Sequence, residues 1–373
     1  MKNLVDEVGI FSDLNNTLRT DADGTRLPKG NQLVSQVIHD TETLPVELQL
    51  LYAPVFEELQ QSEVLLQKEL RSTHNEVDEM IQHGCRLGGK RLRPVLLLLS
   101  AKANGRVVPA HLVLAAVVEM IHTATLIHDD VLDEATLRRH VETCNERWDN
   151  KPSVLLGDYL FTHAFYLAST LGSNFACQTI GKATNIVCEG ELRQIRSCTH
   201  FDLGEATYLD IITAKTASLC ECACRLGAYF GNSDEDGNSD EEIVNRFASY
   251  GLNLGIAFQI IDDLLDVVGT EDKVGKSLGT DLNQHKPTLP LIHVLEQLDS
   301  ADKSHVLTSL TQAGTNGREI LQPWFERFDT ENYVKQKAES FARQAFQALE
   351  PLPGNEALDT LRQIPEFVLH RSR

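Results

Sequence analysis

The chain has 373 residues, 42% of them hydrophobic, a formal net charge of −20 and eight cysteines. That length holds one large core or two ordinary domains. The acidic balance argues against a nucleic-acid partner and leaves phosphate binding to local basic groups or metal ions.

Residues 1–47 are polar and turn-rich, with Asp21-Ala22-Asp23-Gly24 and Pro28-Lys29-Gly30. They read as a loosely ordered extension, and the first residues lack the apolar stretch of a secretory signal. From Leu51 onward the pattern is helical. Val55, Leu59, Val64 to Leu66 and Leu70 keep the spacing of an amphipathic helix. Breaks are expected at Gly84, Gly88-Gly89, Asn104-Gly105, Gly157, Gly172 and Gly181. Strand-like alternation is nearly absent, so residues 48–373 read as one all-α domain, a bundle of long, mostly antiparallel helices around a cavity.

The longest apolar run, Leu112 to Ile127, is broken by Glu119, His122 and Thr123. It falls short of a membrane span and reads as a buried core helix. Cys220-Glu221-Cys222-Ala223-Cys224 invites a metal reading, but on a helix Cys222 points away from the other two, and no zinc-spaced partner follows. Small buried thiols fit better. The unpaired cysteine spacing suggests a reducing compartment, hence a cytoplasmic protein. Gly231 to Glu242 carries six acids and no base and reads as a solvated loop.

The core run ends in Ile127-His128-Asp129-Asp130-Val131-Leu132-Asp133. Asp129 and Asp133, four apart, share one helix face and repel by a few tenths of a kcal/mol. A hard divalent cation such as Mg²⁺ would turn that cost into a gain. The same Asp-Asp-x-x-Asp spacing returns 133 residues later as Asp262, Asp263 and Asp266, after Phe258-Gln259-Ile260-Ile261. If the two helices face each other, six carboxylates converge. That convergence calls for several Mg²⁺ ions shared with an anionic ligand.

Four short basic clusters flank these acids. Gly88-Gly89-Lys90-Arg91-Leu92-Arg93-Pro94 is expected to put Lys90 and Arg93 on one helical face after a glycine turn. Arg138 and Arg139 follow the first acidic cluster, Lys215-Thr216 lies in mid-helix, and Lys276 and Lys286 follow the second cluster. Metals on one side and Lys or Arg on the other could hold two diphosphates at once. His122, seven residues before Asp129, projects from the same face two turns earlier. A histidine in an apolar helix is commonly a satisfied core residue, but this one faces the expected cavity.

With Leu156-Gly157-Asp158 added, these motifs resemble the trans-polyprenyl diphosphate synthases, over roughly Leu51 to Arg373. The resemblance implies a Mg²⁺-dependent, usually homodimeric prenyltransferase. Such an enzyme condenses isopentenyl diphosphate with an allylic prenyl diphosphate and needs no nucleic acid and no transmembrane segment. It further implies that Asp129, Asp133 and Asp262 coordinate three Mg²⁺ on the allylic diphosphate, with Asp130, Asp263 and Asp266 in support. Arg138, Lys215 and Lys276 would bind that diphosphate, with Lys286 counted among the substrate contacts. Lys90, Arg93, His122 and Arg139 would hold isopentenyl diphosphate, and Thr216 and Gln259 would line the developing positive charge. Two positions depart from the family pattern: His140 and His285 stand where it usually has glycine.

Product length follows from geometry. With the diphosphate at Asp129, the growing tail runs back past Thr125, Ala124 (about 7.5 Å of helix rise) and Ile121. Short-chain members commonly close this path with an aromatic where Ala124 stands. An open path predicts a product of about C30 to C50, most like octaprenyl and serving quinone side chains. The competing readings are a short-chain farnesyl or geranylgeranyl synthase, a class I terpene cyclase, and a non-catalytic partner subunit.

Overall fold

The computed structural model describes residues 45–86, 89–197, 203–233, 239–268, 286–312 and 317–371. The expected extension over residues 1–47 therefore lies, but for its last three residues, outside the described residues, as do Lys276 and His285. The order begins with α1 (Val46–Tyr52), a 3₁₀ turn, α2 (Phe56–Glu69), α3 (Asn75–Arg86), α4 (Leu92–Asn104) and α5 (Pro109–Leu132). A two-stranded hairpin, β1 (Leu137–Arg138) and β2 (Val141–Glu142), leads to α6 (Cys144–Trp148), α7 (Asn150–Ser169) and α8 (Asn174–Ser197). Then come α9 (Glu205–Ile212), a π-helical turn (Thr213–Ala217), α10 (Ser218–Gly231) and α11 (Glu241–Val268). The chain closes with α12 (Leu289–Gln297), α13 (Ser300–Gln312), α14 (Gly317–Arg327), α15 (Thr330–Leu349) and α16 (Glu356–His370). The all-α expectation holds, and the hairpin is the sole sheet among the described residues.

α5 is the axis of the main core. Leu114, Ala115, Val117, Val118, Met120, Ile121, Ala124 and Ile127 are all buried, so it is apolar nearly all round, as a helix enclosed by neighbours must be. It packs on α2, α4, α7 and α10. The helix is long and apolar enough to cross a membrane, but 78% of that window is buried inside the bundle, as expected for a core helix. Its start is capped by His111, whose Nδ1 accepts the Val108 N–H at 2.8 Å while Nε2 donates to the Gly227 carbonyl at 3.1 Å. α11 anchors a second core with α9, α12 and α15, through Ile256, Ile260, Ile261, Leu264, Ile292 and Val334.

Three expected breaks are absent. Gly84, Gly157 and Gly181 all lie inside continuous helices. Glycine weakens a helix but does not end one when packing holds it, and at Gly157 the missing side chain has another use, described below. Cys220, Cys222 and Cys224 are buried in α10, and burial pushes each thiol up. They are core thiols, as expected.

Candidate active site

α5 ends on its acids. Asp129 and Asp130 occupy the last turn, and Asp133 is the C-cap, its N–H bonded to the Asp129 carbonyl at 2.8 Å. Carboxylates at a helix C-terminus oppose the macrodipole, so their charge is met from elsewhere in the chain. Lys215 Nζ lies 3.5 Å from Asp129, and Lys286 Nζ sits 2.8 Å from both oxygens of Asp133. Arg138 reaches Asp130 with Nε at 2.9 Å and Nη2 at 2.8 Å.

The hairpin aims Arg138. Its register, Leu137 opposite Glu142 and Arg138 opposite Val141, leaves a two-residue loop, Arg139-His140. Both loop residues have positive φ, 51° and 64°. That is the primed turn matching strand twist, and it favours glycine at the second position. His140 therefore adopts the left-handed backbone at some cost instead of changing the turn.

His128, just before Asp129, is clasped to α7. Its Nε2 donates to the Val154 carbonyl at 3.1 Å and lies 3.4 Å from Asp158, and its ring stacks on Phe161. A Cβ on Gly157 would fall 2.2 Å from that nitrogen. The glycine makes room for the clasp that seats the first acidic cluster.

The second cluster lies at the end of α11. Asp262 pairs at 3.0 Å with Arg371, whose guanidinium covers the Phe258 ring at 3.7 Å and donates to the Phe258 carbonyl. Asp263 accepts from Tyr208 Oη at 2.6 Å and from Gln259 Nε2 at 2.7 Å, and Gln259 Oε1 accepts from Thr216 Oγ1 at 2.9 Å. Thr216 and Lys215 ride on the π-helical turn, the kind of helix irregularity found at functional sites. Sequence periodicity had placed them in a regular helix. Gly190 permits α8 to close on this turn, since a Cβ there would meet Lys215 N at 2.9 Å. Glu191 and Gln194 thereby reach Lys215 at 2.6 and 2.9 Å. Burial alone would lower the Lys215 pKa, but Asp129 and Glu191 outweigh it and hold the ammonium protonated. A cavity of about 110 Å³ opens between Gln194, Tyr208, Lys215, Thr216, Gln259 and Lys286.

The aspartates divide by burial. Asp130 and Asp263 are 1% and 4% exposed and committed to Arg138 and to Tyr208 with Gln259, whereas the Asp129 and Asp262 side chains are 19% and 43% exposed. Among the described residues no three His, Cys, Asp or Glu side chains form a metal cage. The donor chemistry still suits a hard cation. Mg²⁺ is commonly held by one or two carboxylates plus substrate phosphate, not by an all-protein cage, and Lys286 already places a positive charge equidistant from both Asp133 oxygens. Asp129, Asp133 and Asp262 fit as the metal-facing groups, with Asp130 and Asp263 as their supports and Asp266 half-buried one turn on.

A separate basic cluster surrounds His122. Burial, then the charges of Arg93, Arg139, Arg138 and Arg91, push its pKa well below the usual value, so the ring is neutral. Burial and neighbouring Arg138 also lower Arg139. Arg93 Nε is buried with no partner, the state of a donor awaiting an anion. Lys90 and Arg93 do not share a helical face. α4 begins at Leu92, and Lys90 precedes it, exposed, with its carbonyl accepting from Tyr52 Oη at 2.7 Å. Ala124 and Ile121 are fully buried on α5, and Thr125 turns its hydroxyl to the His122 carbonyl.

Tyr208, Glu191, Gln194 and Arg371 belong to the site yet had no signal in the sequence. None repeats a spacing, and each joins the site only through a tertiary contact, Tyr208 and Arg371 to the acids and Glu191 and Gln194 to Lys215.

A helical bundle with two carboxylate clusters matched by cations, beside a basic cluster in which the buried Arg93 Nε has no partner, defines an enzyme that handles diphosphates. The comparisons narrow the class. Residues 74–326 match the polyprenyl synthetase family. The octaprenyl diphosphate synthase of Escherichia coli K12 is 37% identical over 289 residues, 77% of this chain and 87% of that one. A decaprenyl diphosphate synthase from Rhodobacter capsulatus superposes with a TM-score of 0.80 at 34% identity, covering 87% of this chain and 99% of the other. A polyprenyl synthase from Caulobacter crescentus, solved with calcium and isoprenyl diphosphate, also gives 0.80, at 30% identity and 87% and 98% coverage. The chain belongs to the polyprenyl synthetase family of prenyltransferases.

Proposed function

We propose that the protein condenses isopentenyl diphosphate with an allylic prenyl diphosphate, releasing pyrophosphate and building an all-trans chain of about C30 to C50, with octaprenyl favoured. The observation that carries this reading is the pairing of both aspartate clusters with Lys215, Lys286 and Arg138, next to a separate Arg93–His122–Arg139 cluster. Two anionic heads thus have two places to bind. The similarity to octaprenyl and decaprenyl synthases supports the long product.

Asp129, Asp133 and Asp262 would hold three Mg²⁺ ions against the allylic diphosphate. Bound Mg²⁺ supplies Lewis-acid stabilisation of the departing pyrophosphate. Lys215, held protonated by Asp129 and Glu191, shares that role with Arg138, and Lys276 belongs to the same proposed set. The allylic C–O bond breaks, leaving a carbocation. Thr216 donates a hydrogen bond to Gln259 Oε1, so its oxygen lone pairs stay available to the cation. Arg93, Arg139, Lys90 and His122 hold isopentenyl diphosphate with its double bond near that carbon. The new C–C bond forms, and the proton lost next to it passes to pyrophosphate. The closed bundle keeps out water that would quench the cation.

The enzyme is proposed to act as a homodimer. Leu155 and Tyr166 of α7 and Leu192 and Ile195 of α8 are exposed apolar side chains, which suits a homodimer interface. The cysteine usage supports a cytoplasmic enzyme passing its product to a membrane.

Product chromatography with labelled isopentenyl diphosphate and each allylic primer tests the reading. Turnover should vanish with chelator and return with Mg²⁺. Asp129→Ala and Asp262→Ala should lose activity by orders of magnitude while staying folded. Products of only C15 or C20 would sink the long-chain assignment, and hydrocarbon from allylic substrate alone would identify a cyclase.

A further inference from the structure

Between Lys90 and Arg93 lies Arg91, which takes no part in the scheme above and has unusual geometry. It is the N-cap of α4 with φ 57° and ψ 28°, a left-handed backbone that costs a non-glycine residue about 1–2 kcal/mol. Such strain persists where the surroundings over-determine it. Here they do. Nε and Nη2 form a fork on the two oxygens of Glu63, at 2.8 and 3.0 Å, and Nη1 donates to Glu119 at 2.7 Å.

Glu63 is on α2. Glu119 is on α5, three residues before His122, and is 2% exposed. One guanidinium therefore joins two helices to the start of α4, with Lys90 just before it and Arg93 in its first turn. Both of these carboxylates are committed to Arg91, while Arg93 Nε stays unpartnered. Just before Lys90, Gly89 leaves room for Arg139, whose Nη2 would be 2.6 Å from a Cβ there. Lys90, Arg93, His122 and Arg139 are thus all referred to a frame that Arg91 closes.

We infer that Arg91 is a positioning residue for the isopentenyl diphosphate subsite: bound to Glu63 and Glu119, it sets the Lys90–Arg93 segment against His122 and leaves the Arg93 Nε donor for the anion. This rests on the proposed assignment of that subsite. Lysine cannot replace it, because a single ammonium cannot make the fork on Glu63 and reach Glu119 as well.

The test varies each substrate separately in Arg91→Lys, Glu119→Gln and Arg93→Ala, with thermal melting alongside. For Arg91→Lys the KM for isopentenyl diphosphate should rise about tenfold or more, with the allylic KM and kcat within about twofold. Glu119→Gln, which keeps shape and loses charge, should move the same KM in the same direction by less. If either variant shifts both KM values equally, or lowers only the melting temperature, Arg91 is structural and the inference is overturned. Arg93→Ala separates the two levels. If it raises the isopentenyl KM while Arg91→Lys and Glu119→Gln do not, only the positioning role fails. If it leaves that KM unchanged, the subsite assignment fails and takes the inference with it.

Discussion

Gly157→Ala adds a single methyl group in mid-helix, where propensity alone favours alanine by about 1 kcal/mol. The new Cβ would lie 2.2, 2.5 and 2.8 Å from Nε2, Cδ2 and Cε1 of His128, against an ordinary carbon contact of about 3.5–4.0 Å. The imidazole must therefore retreat by more than about 1 Å, breaking its bond to the Val154 carbonyl. Overpacking costs about 1–3 kcal/mol and the lost hydrogen bond about 1 kcal/mol. Set against the propensity gain, the net loss is roughly 1–3 kcal/mol, a fall in melting temperature of about 1–4 °C for a chain of this length. Because Asp129 follows His128, kcat should also fall by about tenfold or more. Gly181→Ala is the matched control, since nothing lies within 4 Å of a Cβ there and the variant should melt unchanged or higher. Differential scanning calorimetry and steady-state rates read both effects. The reasoning is refuted if Gly157→Ala behaves like Gly181→Ala. A His128→Ala, Gly157→Ala double variant should recover melting temperature relative to the sum of the singles without recovering activity.

Three further outcomes are expected. Ala124→Tyr should shorten the product on chromatography, and an unchanged length would show that the tail runs elsewhere. His140→Gly relieves the left-handed backbone of the hairpin loop and should stabilise the protein by about 1 kcal/mol, seen as a small rise in melting temperature with activity retained. Burial lowers the pKa of His111 from 6.5 to about 4, against the opposing hydrogen bond to Gly227. As pH falls below 6.5 the unfolded chain takes the proton first. This residue's contribution is therefore complete above about pH 7 and is lost between 6.5 and 4, by up to about 3 kcal/mol. Melting curves at pH 7.5 and 4.5 should show the loss, and His111→Asn should flatten the difference between them.

Much of this molecule is legible from local pattern. Helical periodicity, the scarcity of alternating segments and the apolar run from Leu112 mark an all-α bundle with α5 at its centre, because a side-chain period of 3.6 is a property of the chain alone. The two Asp-Asp-x-x-Asp spacings are equally local, since four residues make a turn wherever the helix lies. Breaks at Gly84, Gly157 and Gly181 were misjudged for the same reason. Glycine's intrinsic cost is visible in sequence, while the packing that holds the helix through it is not, nor the neighbours that make bareness useful at Gly84 and Gly157.

What the tertiary structure decided is which charges meet. Lys286 reaches Asp133 across 153 positions and Arg371 reaches Asp262 across 109, and no spacing rule connects residues so far apart. The division of the six acids into half-buried Asp129, Asp133, Asp262 and Asp266 and buried Asp130 and Asp263 also depends on what covers them, since all six are the same residue type in the same motif. Arg91 shows the limit most plainly. Its neighbours Lys90 and Arg93 look interchangeable with it in sequence, but a left-handed backbone and two carboxylates from distant helices turn it inward. Spacing along the chain sets which side chains can share a face. Burial and long-range electrostatics set which of them are spent on the fold and which remain for a substrate.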